Sequence, residues 1–361
     1  MTILFITQKL HGQDAFGILW VRALKRQGFD VTVLCLEDRA SPLEFPVHSM
    51  GKEKGYGKVR QILRFWRLIL TLRYDRVFIH MSPIWGLLGS WWWVLRRVPT
   101  YLWYTHYKYS PSLRVTAMFA KRLFCATAQS LPHYEDSPKK VVVGHGIDMT
   151  TWPKRENRTE NPHALLMVHR LSRSKRVELS LRALTILPED YTLEIYGIEA
   201  EPVYVAELRS LVMQLQLERR VTFHGTVPFA TLPGIYAAHR LILNMASETI
   251  DKTMLEAMTC GCHPVTTQRN AAAIGLRSAS SFTQPSLKLQ PAGKALEDKS
   301  RSYGRQVGIT DAPADDTPEA IADFIRTFAG ADPAVLYRIV EERHGLDRLA
   351  ALMGSYIKDG C

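Results

Sequence analysis

The pattern in this sequence that is most suggestive of chemistry is a pair of carboxylates, Glu248 and Glu256, separated by seven residues. An apolar run at residues 241–243 precedes them and is typical of a buried strand. A loop follows that strand, and a short helix is predicted over about residues 251–258. We therefore expect one carboxylate in the loop and the other one to two turns inside the helix.

The start of this predicted helix contains Asp251, Lys252 and Thr253. The amides of a first helical turn are unpaired and lie at the positive end of the helix dipole, which suits a phosphate group. One of the two carboxylates could then reach a sugar on one side of the phosphate, and the other a ribose on its far side. This arrangement outlines a nucleotide-sugar site, although a strand, a loop and a helix with glutamates are also common in α/β proteins.

The elements around this stretch alternate between strands and helices. Residues 2–6 and 31–36 are predicted strands, and a helix with apolar residues on one face lies between them. Such a unit predicts the α/β class and the start of a doubly wound sheet. The loop after the first strand lacks G-x-G-x-x-G, so a nicotinamide cofactor is not expected. Gly12 in that loop either lets backbone amides approach an anion or only relieves a tight turn.

A second series of strands and helices follows a polar linker at residues 149–162. A predicted strand at 165–168 leads into a polar loop that contains Arg170 and Lys175, and a later predicted strand ends at Gly197. The two halves share an architecture without a sequence repeat. Residues 269–314 have no clear pattern, and one last helix is predicted over residues 333–358.

Composition narrows the class of partner and the compartment. The 361 residues have a formal net charge of +11, which favours anionic partners, although an incidentally basic surface is equally consistent. Five cysteines without zinc-ligand spacing predict reduced thiols and hence the cytoplasm. The longest uncharged run, residues 77–95, is too short and broken to predict a membrane span.

Two features of the first half leave a structural and a functional interpretation open. A predicted helix over residues 58–73 has Arg60, Arg64 and Arg67 as one stripe among apolar residues, which is typical of a membrane-surface helix or of a sheet-packing helix with one basic edge. A tryptophan cluster, residues 91–93, could anchor at a bilayer interface or fill a core. His106 follows a predicted strand, at the end where ligands bind in parallel sheets, but a lone histidine is often structural.

Five segments, in order, resemble the retaining GT-B glycosyltransferases often called family 4. They are Val-Val-Val-Gly-His-Gly-Ile-Asp at 141–148, Arg170-Leu171 with Lys175, Val-Thr-Phe-His-Gly at 221–225, the Glu248–Glu256 pair, and the residues from Glu256 to Val265. The resemblance implies two facing Rossmann-like domains with the donor between them. It implies an acceptor-side domain at 1–155, a nucleotide-sugar-binding domain at 156–335, and a C-terminal helix at 336–361 that packs back on the first domain.

The same resemblance implies roles for individual residues. Arg170 and Lys175 would neutralise the donor diphosphate, Glu256 would bind the ribose, and Glu248 would bind the transferred sugar and hold charge near the anomeric carbon. The remaining positions of the implied site are His106 near the sugar, Gly12 near phosphate or acceptor, and, for the donor, Gly197, Asp251, Lys252 and Thr253.

This chain departs from the family pattern at the glycines. His169 and Arg176 stand where glycine usually flanks the Arg…Lys motif, and Thr249-Ile250-Asp251 replaces a common Gly-Phe-Gly. Asp251 and Lys252 therefore place charges where backbone normally meets sugar hydroxyls. We predict an unusual or tightly selected donor sugar.

The expected activity is retaining, metal-independent sugar transfer from a nucleotide-diphosphate sugar to a cell-envelope, lipid-linked or polysaccharide acceptor. The expected place of action is the cytoplasm, including the inner face of the membrane, where an anionic surface is a further candidate partner; nucleic acid is not expected. Two alternatives remain: a non-catalytic basic binding protein on a GT-B scaffold, and another GT-B enzyme such as a phosphorylase or a sucrose-phosphate-type synthase.

Overall fold

A computed structural model describes residues 1–11, 16–40, 42–106, 109–152, 154, 161–247, 250–276 and 311–359. The chain divides into two compact units. The first comprises Met1–Asp148 and His344–Cys361, and the second comprises Met149–Arg343. Gly12, Glu248 and Thr249, on which several predictions depend, lie outside the described residues.

The first unit is built on a parallel seven-stranded sheet. Its strands, in the spatial order β3-β2-β1-β4-β5-β6-β7, are β3 (Val47–Ser49), β2 (Asp30–Arg39), β1 (Thr2–His11), β4 (Arg76–His80), β5 (Thr100–Trp103), β6 (Arg122–Cys125) and β7 (Lys140–Val142). In the register, Ile3 pairs with Val31 on one side and with Arg76 on the other. The change of direction at β1 is the order expected of a doubly wound sheet.

Helices cover both faces of this sheet because side chains alternate along its strands. Ile3 and Phe5 pack with α1 (Phe16–Arg26) and α12 (Leu346–Asp359) on one face. Leu4 and Ile6 belong to the core on the other face, under α2 (Lys58–Thr71), α3 (Pro83–Leu95) and α4 (Pro111–Phe119). The last helix of the chain thus belongs to the core of the first unit.

The second unit has a parallel five-stranded sheet. Its strands, in the spatial order β10-β9-β8-β11-β12, are β10 (Val221–Gly225), β9 (Thr192–Tyr196), β8 (Asn161–Val168), β11 (His239–Asn244) and β12 (His263–Thr266). Its helices are α5 (Val177–Ile186), α6 (Pro202–Gln214), α7 (Leu232–Ala238), α8 (Lys252–Thr259), α9 (Gln268–Ile274), α10 (Pro318–Thr327) and α11 (Pro333–His344). β8 lies beside β11, so loops far apart in sequence meet at one edge.

The predicted last helix is two helices rather than one. α11 ends at His344 and α12 begins at Leu346, and Gly345 between them pairs with Ile147. The Ile147 amide donates to the His344 carbonyl at 2.7 Å, and the Leu346 amide donates to the Ile147 carbonyl at 2.8 Å. The prediction of a continuous helix was wrong because the His344 carbonyl and the Leu346 amide form hydrogen bonds with Ile147, which is distant in the sequence.

The predicted α/β class is confirmed, and the structure adds elements that the sequence pattern did not reveal. β3, α4 and α7 had no prediction, and α9 (Gln268–Ile274) lies almost wholly inside residues 269–314, for which no clear pattern was found. Thr267 caps that helix, accepting from the Asn270 amide at 3.1 Å. The Asn270 side chain in turn donates to the Ala246 carbonyl at 2.9 Å. Polar capping, which hydrophobic periodicity does not report, holds this helix.

Two further predictions concern cysteines and membrane spans. Cys35, Cys125, Cys260 and Cys262 are buried and take part in no disulfide, and Cys361 lies outside the described residues. Burial raises the pKa of Cys125 to about 12, so its thiol stays protonated. Across the described ranges, none of the helices combines the length and the apolar character that crossing a bilayer requires.

Candidate functional site

The stretch that contains the Glu248–Glu256 pair lies in the second unit, between the start of strand β11 and the end of helix α8. β11 ends at Asn244, whose side chain is fully buried, and α8 begins at Lys252, one residue later than predicted. Asp251 is the residue before the first helical turn. Its side chain makes no capping hydrogen bond to α8, so the first-turn amides receive no cap from it.

Asp251 instead forms an ion pair with Lys175. The Lys175 ammonium lies 2.6 Å from Oδ1 and 2.8 Å from Oδ2 of Asp251. The Asn244 side-chain amide donates to Oδ2 at 2.7 Å. Lys175 is buried, with only 8% of its side chain exposed. The pair therefore places a desolvated cation and a carboxylate together at the start of α8, where a bound anion would compete with Asp251 for Lys175.

Glu256 is a buried carboxyl inside α8. Its only described ion-pair partner is Lys252, one turn earlier, with Nζ 3.7 Å from Oε1. Burial raises the pKa of Glu256, and the Lys252 ammonium partly offsets that rise. Between them, Thr253 has a hydroxyl shielded from solvent that lacks a hydrogen-bond partner among the described residues. Lys252, Thr253 and Glu256 thus place three polar side chains along the first two turns of this helix.

The loop after β8 supplies the cationic side of the site. Arg170 is exposed, whereas the His169 ring is buried and its Nδ1 is 3.0 Å from the Arg170 carbonyl. Burial lowers the pKa of His169 despite the nearby carboxylate of Asp251. His169, where the family pattern has glycine, is therefore a neutral imidazole beside the ion pair.

Gly197 has a packing reason to be glycine. Its φ is +138°, a value that L side chains rarely adopt, and an added Cβ would lie 1.9 Å from the His169 carbonyl oxygen. The end of β9 thus approaches the backbone of the β8 loop so closely that no side chain fits. Gly197 thereby keeps the backbone around His169 and Arg170 in place.

Arg176 is a positioning residue that sequence reasoning noted only as a departure from the family pattern. It adopts a left-handed conformation, with φ 49°. Its guanidinium donates to the Met245 carbonyl at 2.7 Å and to the Asp316 carboxylate at 2.7 Å. It therefore fixes the segment after β11 relative to the start of α10. No local sequence signal could have indicated this contact, because Asp316 lies 140 residues away.

The structure brings part of the predicted site together. Lys175 and Asp251 are in contact, Lys252 and Glu256 share α8, and Arg170 and Gly197 lie at the ends of the adjacent strands β8 and β9. His106 lies in the first unit, where its ring packs edge-on against Tyr104 at 5.5 Å. Glu248 and Gly12 lie outside the described residues. The arrangement offers a buried cation, helix-start amides and a buried carboxyl, which can bind an anion beside a hydroxyl-bearing group.

Comparison with known proteins gives the family of the chain. The family model described as Glycosyl transferases group 1 matches residues 148–274, and the one described as Glycosyltransferase Family 4 matches residues 18–149. A search of the curated protein sequences finds no significant match.

Several solved structures have a similar fold over nearly the whole chain. HepE of Anabaena, in complex with UDP and glucose, is 17% identical with a TM-score of 0.69, covering 99% of each chain. Sucrose-phosphate synthase of Thermosynechococcus elongatus is 15% identical with a TM-score of 0.68, covering 99% of this chain and 98% of its own. The lipopolysaccharide outer core galactosyltransferase WaaB is 14% identical with a TM-score of 0.66, covering 99% of this chain and 100% of its own.

The two family models adjoin one another along the chain, and the structural likenesses show the fold. The two parallel-sheet α/β units agree with that fold. The chain is therefore a GT-B glycosyltransferase and belongs to the group 1 and family 4 type.

Proposed function

We propose that this glycosyltransferase transfers a sugar, with retention and without a metal ion, from a nucleoside-diphosphate sugar to a cell-envelope, lipid-linked or polysaccharide acceptor. The observation that carries the proposal is the buried Lys175–Asp251 pair at the start of α8. A buried lysine beside helix-start amides that the Asp251 side chain does not cap favours a diphosphate, because both groups attract negative charge.

The proposed roles in the second unit follow from position. Lys175 and the exposed Arg170 neutralise the diphosphate, and the first turn of α8, with Lys252 and Thr253, supplies amides to it. Glu256, buried on that helix, accepts hydrogen bonds from the ribose hydroxyls. Glu248 precedes α8 in sequence and is assigned to the transferred sugar.

In the first unit, His106 is proposed to contact the sugar and Gly12 the phosphate or the acceptor. We accordingly assign residues 1–155 to the acceptor, 156–335 to the donor, and 336–361 to a C-terminal segment that supports the first domain. α12 packs against α1 in the core of the first unit, which supports the last assignment.

The chemistry requires charge stabilisation at the leaving group. The acceptor hydroxyl attacks the anomeric carbon on the face from which the diphosphate departs. The glycosidic bond forms as the carbon–phosphate-oxygen bond breaks, and the hydroxyl proton passes to the departing phosphate. Fixed cations and helix amides stabilise the growing negative charge, so no metal and no carboxylate nucleophile is required.

The solved relatives support the donor and acceptor classes. HepE was crystallised with UDP-glucose and with UDP and glucose, and WaaB is a lipopolysaccharide galactosyltransferase. We propose a uridine nucleotide as the first donor to test. Asp251 replaces the backbone-only contact usual in the family, and we propose that it restricts which sugar is accepted.

The test is a thermal-shift screen with UDP-, GDP-, ADP- and TDP-sugars, with and without EDTA. One class of nucleotide should raise the melting temperature, with the same shift when EDTA is present. Lys175→Met should remove the shift, whereas Glu248→Ala should retain it and lose transfer. A shift that survives in Lys175→Met would contradict the phosphate assignment, and normal transfer by Glu248→Ala would contradict the role of that carboxylate.

Retention and donor choice have separate readouts. The anomeric configuration of the product, followed by NMR, should match that of the donor; an inverted product rules out retention. Asp251→Gly should broaden the set of sugars transferred. An unchanged donor preference in that variant would show that Asp251 does not select the sugar.

A further inference from the structure

The outer surface of the first unit has an unusual composition. The helices α2, α3 and α4 contain no aspartate or glutamate, and Asp75 is the only acidic residue between positions 58 and 122. α3 also buries Trp85 and Trp93 against the sheet, so part of its apolar character serves the core. Trp91, Val94 and Leu95 of the same helix are exposed.

Besides Val59, Leu63 and Leu70 on α2, most of the exposed large apolar side chains of these helices lie toward the C-terminal ends of α3 and α4. Trp91 is 51% exposed, Leu95 69% and Met118 59%, and Val94 and Phe119 are also exposed. α3 and α4 pack against each other, and Val94 and Phe119 line one small hollow between them, so the exposed residues at the ends of the two helices lie on neighbouring elements. We define the five residues as the α3–α4 face. Contiguous apolar surface of this kind marks an interaction site in soluble proteins.

A cationic rim surrounds the α3–α4 face. Arg96 and Arg97 follow α3 directly, and Lys121 follows α4; all three are exposed. The Arg96 guanidinium lies 5.4 Å from the Trp92 ring centroid, which keeps its charge beside the apolar residues. Arg60 and Arg67 add exposed positive charge on α2, whereas Arg64 is half-buried and donates to the Ser49 carbonyl at 2.6 Å. The basic stripe predicted on α2 is thus only partly available to a partner.

We propose that the α3–α4 face docks on a lipid bilayer that contains anionic lipids. A bilayer offers an apolar interior for Trp91 and Leu95 and phosphate groups for the rim, and tryptophan with flanking basic residues is typical of that interface. A second copy of this chain fits less well, because a two-fold interface would place two copies of the same cationic rim in one interface, with like charges and no acidic residues to pair them. The proposal does not depend on the identity of the donor or on sugar transfer.

The test is co-sedimentation of the full chain with phosphatidylcholine vesicles that contain or lack phosphatidylglycerol. The wild type should sediment with the anionic vesicles and release at high salt. A triple variant, Trp91→Gln, Leu95→Gln and Met118→Gln, should lose about 10-fold or more in partitioning. Arg96→Gln with Lys121→Gln should lose about 30-fold, because each of the two basic residues near an anionic surface contributes on the order of 1 kcal/mol.

The control is a variant with equally exposed apolar residues of the second unit changed, Val203→Gln with Met213→Gln, which are 72% and 59% exposed in the wild type. It should partition like the wild type, and every variant should melt at the same temperature because the altered side chains face solvent. Equal binding by the triple variant, or binding that ignores phosphatidylglycerol, would overturn the proposal. So would concentration-dependent self-association that the triple variant abolishes without any vesicle binding.

Discussion

The carboxyl ends of central strands carry different chemistry in the two units, although both sheets are parallel and doubly wound. In the first unit, His80 at the end of β4 stacks on Trp103 at the end of β5, with ring centroids 4.9 Å apart and planes within 4°. In the second unit, the corresponding edge beside β8 and β11 holds the Lys175–Asp251 pair and Asn244. The shared scaffold positions side chains, and their types decide what each edge can bind.

This difference agrees with different binding functions for the two units. In the first unit, the stacked His80 and Trp103 rings form a closely packed, largely aromatic surface. Trp20 extends this surface, with its ring centroid 5.0 Å from that of Trp103. In the second unit, the buried Lys175–Asp251 pair at the start of α8 provides a cation that an anionic ligand can bind. Three changes in the second unit test how far it depends on close packing and on charge at its polar edge, and on a buried histidine at the other end of β12.

The largest effect is expected from Gly197→Ala, which adds a Cβ where the His169 carbonyl approaches. The backbone would have to move, and since the φ of +138° also disfavours alanine, we expect a loss of about 4 kcal/mol or more in the free energy of unfolding. Urea unfolding measures it.

Gly225→Ala is the matched control, because Gly225 also has a positive φ, +70°, but no atom lies within 4 Å of its added Cβ. It should cost about 1 kcal/mol, the conformational term alone. Equal losses in the two variants would show that the contact with His169 does not constrain the edge.

An intermediate effect is expected from Lys175→Met. The substitution leaves the Asp251 carboxylate, whose side chain is 21% exposed, without its cation, and should lower the free energy of unfolding by about 2 kcal/mol. The double variant Lys175→Met with Asp251→Asn should recover about half of that loss, because no unpaired charge remains and the Asn244 bond can persist. If the losses of the single variants Lys175→Met and Asp251→Asn add up to the loss of the double variant, the pair contributes no coupling to stability.

The smallest effect is the pH dependence contributed by His263 in β12. Burial lowers the pKa of His263 to about 4, whereas an unfolded histidine titrates near its ordinary value of about 6.5. Between these values the unfolded chain binds more protons, so stability is present at neutral pH and falls as the pH falls. From pH 7 to pH 5.5 this histidine should account for a loss of about 1 kcal/mol.

The measurement is urea unfolding of the wild type and of His263→Asn at both pH values. The variant should be less sensitive to acid by that amount, whatever its stability at pH 7. An unchanged pH dependence would show that His263 is not the group that takes up the proton on unfolding.

Much of the fold could be predicted from local patterns. The order of strands and helices, the strand before Glu248 and the helix that contains Glu256 followed from hydrophobic periodicity, and α8 differs from its prediction by one residue at each end. Periodicity is informative here because the strands of a parallel sheet are buried on both faces. α4 was missed because it has no strong apolar stripe. Its start is marked by the Ser110 cap and by Pro111, which hydrophobic periodicity does not report.

The sequence by itself determined the two α/β units, the candidate residues of the donor site and the positive charge of the outer helices, because these depend on residue type and short-range spacing. Tertiary structure decided that Lys175 bonds to Asp251, 76 residues away, that Arg176 reaches Asp316, and that the chain breaks at Gly345 to pair with Ile147. Such contacts depend on which strands are neighbours. That order is set by packing of the whole chain and is not encoded in any single stretch of it.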